Sequence, residues 1–566
     1  MQAVILAAGM GSRLKQLTKH ATKCMVEVNG VSMISRMLHQ LESRYLSKIV
    51  IVVGYEADKL KAYIESLEIQ TPVIFIQNDI YDTTNNIYSL YLAKEYMVEE
   101  DTILLESDLI FEDHALSRLI DDPYPSLMLV AKFQSWMDGT VVTLDKENHI
   151  TAMYDKKHFR FEDVDAYYKT VNLYKFSQKF MREQYMPFLE AYCEAQGYNE
   201  YYEQVLRLVT QLEGNELKAA CLEDEKWYET DDIQDLHIAE TIFAEDADKS
   251  ERMQKAEGGY WRYPTLQDFS NLSNPYFPPQ KLLSEMKANM DKLICSKPSG
   301  QRMNGLLAAK YYGVSVDNIC MADGIEELTD LYREYAKKEG KEEPDLYIQN
   351  PDALTGEYMP QKDILQLAMQ CKAKKSRLIL DETFVDFAEE GETFLTEELL
   401  EEYPEVVVLK SISQSYGIPG MPISVLASGD KKLLQDMKQR LNNWKAHAMN
   451  EFFLQIFEKY NKDYKSALQR FRTSRNLLWE ELNAIKGITA LPSQANFIIC
   501  KVEKDAFGMD SSELCERLLC KREILIKDLS IQKEWQGKSY VRVGVCTEEE
   551  NDKLVKAMRY VEAGNC

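Results

Sequence analysis

Short, almost unbroken apolar runs alternate with longer amphipathic stretches through the first 243 residues. The runs at 3–8, 48–53, 72–76, 102–105 and 126–131 have the character of parallel strands buried on both faces. Between them, residues 33–46 and 57–66 place apolar side chains at helical spacing. This alternation predicts a doubly wound α/β domain over residues 1–243. The chain then turns polar and charged in the run EDADKSERMQKAEGG, which predicts a linker at 244–259. A second α/β domain is expected over 260–566, with strand-like runs at 376–380, 406–409 and 495–500. Residues 451–485 carry an aromatic and aliphatic stripe at helical spacing, which reads as core rather than as a ligand-binding box.

Composition narrows the partners. A chain of 566 residues is too long for one core. A net charge of −25 argues against broad binding to nucleic acid or to an anionic membrane. No run is long and apolar enough to span a bilayer, and the first strand lacks the basic flank of a signal peptide. Eleven cysteines fall in no zinc-type spacing, which fits a reduced, cytoplasmic protein with free thiols.

The first strand leads into Leu6-Ala7-Ala8-Gly9-Met10-Gly11-Ser12-Arg13-Leu14. Glycines there let the backbone turn and bring N–H groups to phosphate oxygens, and Arg13 adds a fixed cationic fork. Leu14 stands where a dinucleotide fingerprint needs its third glycine, so that reading fails. Thr22-Lys23-Cys24-Met25-Val26-Glu27 follows. Together the two segments resemble the nucleotidyltransferase family that makes nucleotide-sugars and CDP-alcohols, over about residues 1–243. Thr22 departs from the sugar-specific members, which usually carry proline there. The resemblance implies that Lys23 and Arg13 neutralise charge on an α-phosphate, and that Leu6, Ala8, Gly9, Gly11 and Ser12 line the nucleotide site. It also implies that Asp108, in Leu104-Leu105-Glu106-Ser107-Asp108, and Asp231, in Tyr228-Glu229-Thr230-Asp231, hold a catalytic Mg²⁺. Hard carboxylate oxygens and a triphosphate suit that ion.

Thr84-Asn85-Asn86-Ile87-Tyr88-Ser89-Leu90 is similar to a segment of phosphocholine and phosphonate cytidylyltransferases. Asn85 and Asn86 are therefore candidates for reading the pyrimidine or the acceptor, with CTP favoured and UTP left open. Trp136, Asp138, Glu200 and Tyr201 offer rings and carboxylates for an ammonium group, the alternative being ordinary aromatic packing.

In the second half, Leu380-Asp381-Glu382-Thr383-Phe384 and Asn350-Pro351-Asp352-Ala353-Leu354-Thr355-Gly356 resemble the fold-type I pyridoxal-phosphate (PLP) enzymes, in the histidinol-phosphate aminotransferase and threonine-phosphate decarboxylase branch. Asp381 matches the aspartate that faces the pyridinium nitrogen, and Arg542 matches the arginine for the substrate carboxylate. The family's Schiff-base lysine is Gln414 here, within Ser411-Ile412-Ser413-Gln414-Ser415-Tyr416-Gly417, and an amide nitrogen is not a nucleophilic amine. Lys410 lies four residues earlier. Pro422 replaces the phosphate-binding arginine and Ala353 the asparagine beside the ring oxygen. Too few residues separate Gly324 from Asn350 for the usual βαβ units. A truncated fold-type I domain with a degenerate PLP site around Asp381, Gln414, Tyr416 and Arg542 is expected. Its role would be dimerisation or ligand binding, with a working transaminase or decarboxylase half as the alternative.

The fused order is similar to the cytidylyltransferase–PLP-enzyme fusions of phosphonate biosynthesis. It implies transfer of CMP from CTP to a small amine-bearing phosphonate or phosphomonoester, with release of pyrophosphate. The expected assembly is a homodimer joined through the C-terminal domain.

Overall fold

The computed structural model of the protein describes residues 1–212, 214–340, 345–441 and 447–563, so Cys566 lies outside the described residues. The chain divides into two compact units, Met1–Arg252 and Met253–Cys566.

The first unit is built on a sheet whose centre holds β1 (Gln2–Ala7), β2 (Ile49–Val53), β3 (Val73–Gln77), β4 (Thr102–Glu106) and β5 (Tyr168–Phe176), in the order β5-β4-β1-β2-β3. Strands β1 to β4 pair in parallel, and β5 runs antiparallel to β4. The near-continuous apolar runs have a direct cause. In β1, Ala3, Ile5 and Ala7 enter one core while Val4 and Leu6 enter another on the opposite face. Helix Met33–Glu42 is shorter than the periodicity predicts and starts at Ser32, whose hydroxyl accepts from Ser35 N. Helix Ala57–Ser66 is as expected. The strand expected at 126–131 spans Ser126–Lys132 and departs from a purely parallel reading: it pairs antiparallel with β5 and parallel with Leu217–Cys221. The polar run expected as a linker is helical over Asp246–Lys255, and the division between the units falls inside that helix.

The second unit holds a five-stranded sheet of β6 (Ile319–Ala322), β7 (Leu346–Gln349), β8 (Leu378–Asp381), β9 (Val406–Ser411) and β10 (Ser424–Ser428), in the order β6-β10-β9-β8-β7. Among the described residues between β6 and β7, one helix, Ile325–Glu339, fills the short separation between Gly324 and Asn350. The stripe at 451–485 forms helices Ala448–Phe457 and Asn461–Asn483 around a 3₁₀ turn, and Phe453, Phe457 and Phe471 are buried in the core. A smaller four-stranded antiparallel sheet includes Phe497–Val502 and Tyr540–Gly544. No helix among the described residues is long and apolar enough to cross a membrane.

Candidate active site

In the first unit the carboxyl ends of β1 and β4 open into a cleft of about 950 Å³, where α/β sheets place their ligands. Leu6, Ala8, Gly9, Gly11 and Ser12 line it, together with Lys23. Gly11 holds φ 60°, and a Cβ there would lie 2.8 Å from Lys23 Cβ. Only glycine permits both the left-handed backbone and the close passage of the lysine stem. Thr22, the departure from proline, keeps φ −75°, close to the angle proline would impose.

Lys23 is the hub. Its Nζ lies 2.5 Å from Asp108 Oδ2 and 2.7 Å from Asp231 Oδ1, and Arg13 reaches Asp231 at 2.9 Å. Burial works against the ammonium charge, but the two carboxylates outweigh it and hold the pKa well above the ordinary lysine value. The ribbon of Leu109–Phe111 against Trp227–Glu229 brings the acidic groups together, with Thr230 N donating to Asp108 O at 3.0 Å. Asp231 is steadied in turn by Asp235, whose Oδ2 accepts from Asp231 N at 3.1 Å.

Glu229 was missed by the sequence reading. Asp108, Glu229 and Asp231 offer carboxylate oxygens within 4.8 Å of one another, and Asp108 Oδ1 is buried without a hydrogen-bond partner among the described residues. Such a hard, oxygen-only donor set fits Mg²⁺. The spacing of 229 and 231, two apart at a strand end, is a signal that could have found the third carboxylate.

Asn85 and Asn86 also line the cleft. Asn85 caps the short helix Asn86–Leu92. The Asn86 amide donates to Glu106 Oε1 at 3.1 Å and accepts from Tyr202 N at 3.1 Å. Among the acceptor candidates, Trp136 stacks on Tyr228 with ring centroids 4.4 Å apart. Asp138 pairs with Lys156 at 2.7 Å, while Glu200 and the exposed Tyr201 sit at the cleft wall. Beneath them lie Glu106 and Glu203, which the sequence reading did not single out. Lys169 is fully buried nearby, 3.4 Å from Glu229 Oε2. Burial foremost, then the neighbouring carboxylates Glu203, Asp108 and Glu229, raise the pKa of Glu106 well above the carboxylate range. Burial likewise pushes Glu203 up to about 7.

The second unit places Asp381, Gln414 and Tyr416 around the ends of β8 and β9, but they do not fit PLP. Asp381 Oδ2 accepts from Tyr347 Oη at 2.9 Å, and Oδ1 accepts from Thr383 N at 2.9 Å and Thr383 Oγ1 at 2.6 Å. The carboxylate is thus satisfied from within. Gln414 Oε1 accepts from Ser411 Oγ at 3.0 Å. Lys410 Nζ is held 2.8 Å from Asp386, which also accepts from Tyr464 Oη at 2.9 Å. Burial opposes the Asp386 charge, yet Lys410 outweighs it and lowers the pKa. Tyr416 is fully buried, stacked on Phe457 at 4.4 Å. Arg542 packs against the Phe497 ring, with burial lowering its pKa. Lys410, the lysine nearest to Gln414 in sequence, is thus engaged rather than free.

A lysine pinned between carboxylates beside a glycine-turned loop is equipment for phosphoryl transfer from a nucleotide. The chain belongs to the nucleotidyltransferases: residues 3–174 match the MobA-like NTP transferase domain, and residues 320–558 match aminotransferase class I and II. CTP:phosphoglutamine cytidylyltransferase of Campylobacter jejuni is 30% identical over 259 residues, 42% of this chain and 98% of that protein. CMP-5'-(3-aminopropyl)phosphonate synthase of Streptomyces rubellomurinus is 26% identical over 606 residues, 100% of this chain and 95% of that protein. Threonine-phosphate decarboxylase of Salmonella typhimurium is 26% identical over 220 residues, 39% of this chain and 58% of that protein.

Proposed function

We propose that the first unit transfers CMP from CTP to a small phosphonate or phosphomonoester bearing an amine, releasing pyrophosphate. The observation that carries this is the contact of Lys23 Nζ with Asp108 and Asp231, 2.5 and 2.7 Å away, at the mouth of the glycine-turned loop. The loop through Gly9 and Gly11 cradles the triphosphate with backbone N–H groups. Lys23 and Arg13 face the α-phosphate and offset the charge that builds as an acceptor oxygen attacks in line. Asp108, Glu229 and Asp231 would hold Mg²⁺, which supplies charge neutralisation and alignment of the phosphates. The likeness to a CTP:phosphoglutamine cytidylyltransferase and to a CMP-5'-(3-aminopropyl)phosphonate synthase supports CTP as donor.

For the second unit we propose a structural role, with two copies joined through it and no PLP chemistry. The self-satisfied Asp381 and the Gln414 side chain support this reading over a bifunctional enzyme.

The test is pyrophosphate release with each nucleoside triphosphate against phosphocholine, phosphoethanolamine, aminoethylphosphonate and an amino-phosphonobutyrate. Turnover is expected with CTP and an amine-bearing acceptor. Lys23→Ala should lower it about a hundredfold or more; turnover in that variant equal to the parent's would overturn the assignment.

A further inference from the structure

At the floor of the cleft, two carboxylates form no ion pair among the described residues. Glu106 ends β4 and Glu203 opens the helix Glu203–Val209, and both line the cleft. The Asn86 amide stands between them, donating to Glu106 at 3.1 Å and also facing Glu203. Glu203 is only 7% exposed, and its Oε2 has no hydrogen-bond partner among the described residues. Lys169 is already engaged, with its Nζ 2.6 Å from Thr170 O and 3.4 Å from Glu229. Lys23 is likewise taken by Asp108 and Asp231. A buried, unpartnered carboxylate oxygen forfeits its solvation without a return. Glu106 Oε1 accepts from the Asn86 amide, so the unpartnered oxygen is that of Glu203, and among the described residues neither carboxylate forms an ion pair with a cation that carries N–H donors.

We infer that Glu106 and Glu203 form the subsite for the acceptor's ammonium group and select a primary ammonium over a quaternary one. The inference rests on the proposed CMP transfer for its substrate and deepens it. The rim residue Asp138 is the weaker candidate, being 63% exposed and already paired with Lys156, where screening leaves little binding energy. A primary ammonium brings three donors to the two carboxylates. A trimethylammonium brings none, and is instead recognised through open aromatic faces. One face of Trp136 is covered by Tyr228 at 4.4 Å.

The test has two readouts on the full-length chain. Equilibrium binding of aminoethylphosphonate, ethylphosphonate and phosphocholine is measured first, then kcat/KM for each with CTP. The parent should prefer aminoethylphosphonate in both. Glu203→Gln and, separately, Glu106→Gln should each cut that preference about tenfold or more, the loss expected when one partner of a buried charge pair is removed. A far-UV circular-dichroism spectrum like the parent's, read for each variant, reports that the fold is intact. Equal losses for the amine-bearing and amine-free ligands would overturn the inference, as would a parent that favours phosphocholine. A parent that binds aminoethylphosphonate preferentially through Glu203 but transfers no CMP would sink the proposed reaction while leaving the ammonium subsite standing.

Discussion

Glu203 weakens the fold that carries it. Burial raises its pKa from 4.5 to about 7, Glu229 adds to the rise, and Lys169 and the Asn86 amide work against it; Glu106 faces it from β4. The folded state therefore binds this proton more tightly than the unfolded chain does. Stability from Glu203 is full below the unfolded value of 4.5 and declines as pH rises to about 7, then levels off. Glu203→Gln should raise the thermal midpoint of the first unit at about pH 8 and leave it unraised at about pH 4, read by calorimetry. Among single residues, Lys23, Asp108 and Asp231 stand out as candidates because each lies in a short motif whose chemistry needs that type, and the fold brings the three together. Glu203 was not legible. It stands in a polar and aromatic run, and only the packing of its helix under the cleft gives it a role.

The strands of the first unit were legible because each buries both faces, as β1 does between its two cores. The helix within 244–259 was not legible for an equally physical reason. Its polarity argued for a linker, but Ala, Lys, Glu, Gln and Met are strong helix formers, and the chain is helical over Asp246–Lys255. In the second unit, the end of β8 shows why one residue does not decide a cofactor site. Tyr347 and Thr383 already satisfy both oxygens of Asp381, and Pro422 supplies no charge for a phosphate. Gln414→Lys alone should therefore leave the purified protein without the visible absorbance of bound PLP after incubation with the cofactor. A coloured protein that borohydride bleaches would show that the site had kept its capacity.

At the scale of the whole molecule, the two compact units meet in sequence between Arg252 and Met253. Arg252 pairs with Glu240 at 3.2 Å and approaches Asn29 at 3.5 Å, so the end of the first unit is tied to its own body. A chain ending at residue 252 should keep CTP-dependent transfer, run as a monomer in light scattering, and melt higher than one ending at residue 243. Equal melting of the two truncations would show that the helical extension contributes nothing, and a dimer of the shorter chains would move the joint out of the second unit. The pairing of two domains was legible in the sequence, whereas the exact seam was not, because a helix runs across it.

The bond from Tyr347 to Asp381 reaches beyond chemistry into supply. An enzyme that needs PLP gains part of its stability from the vitamin, through the binding free energy added to the native state. A carboxylate already bonded to its own tyrosine and threonine does not depend on such a ligand for a partner. The level of folded protein in a cell should then be indifferent to vitamin B6 starvation, so that nucleotide transfer continues when PLP-dependent neighbours fail.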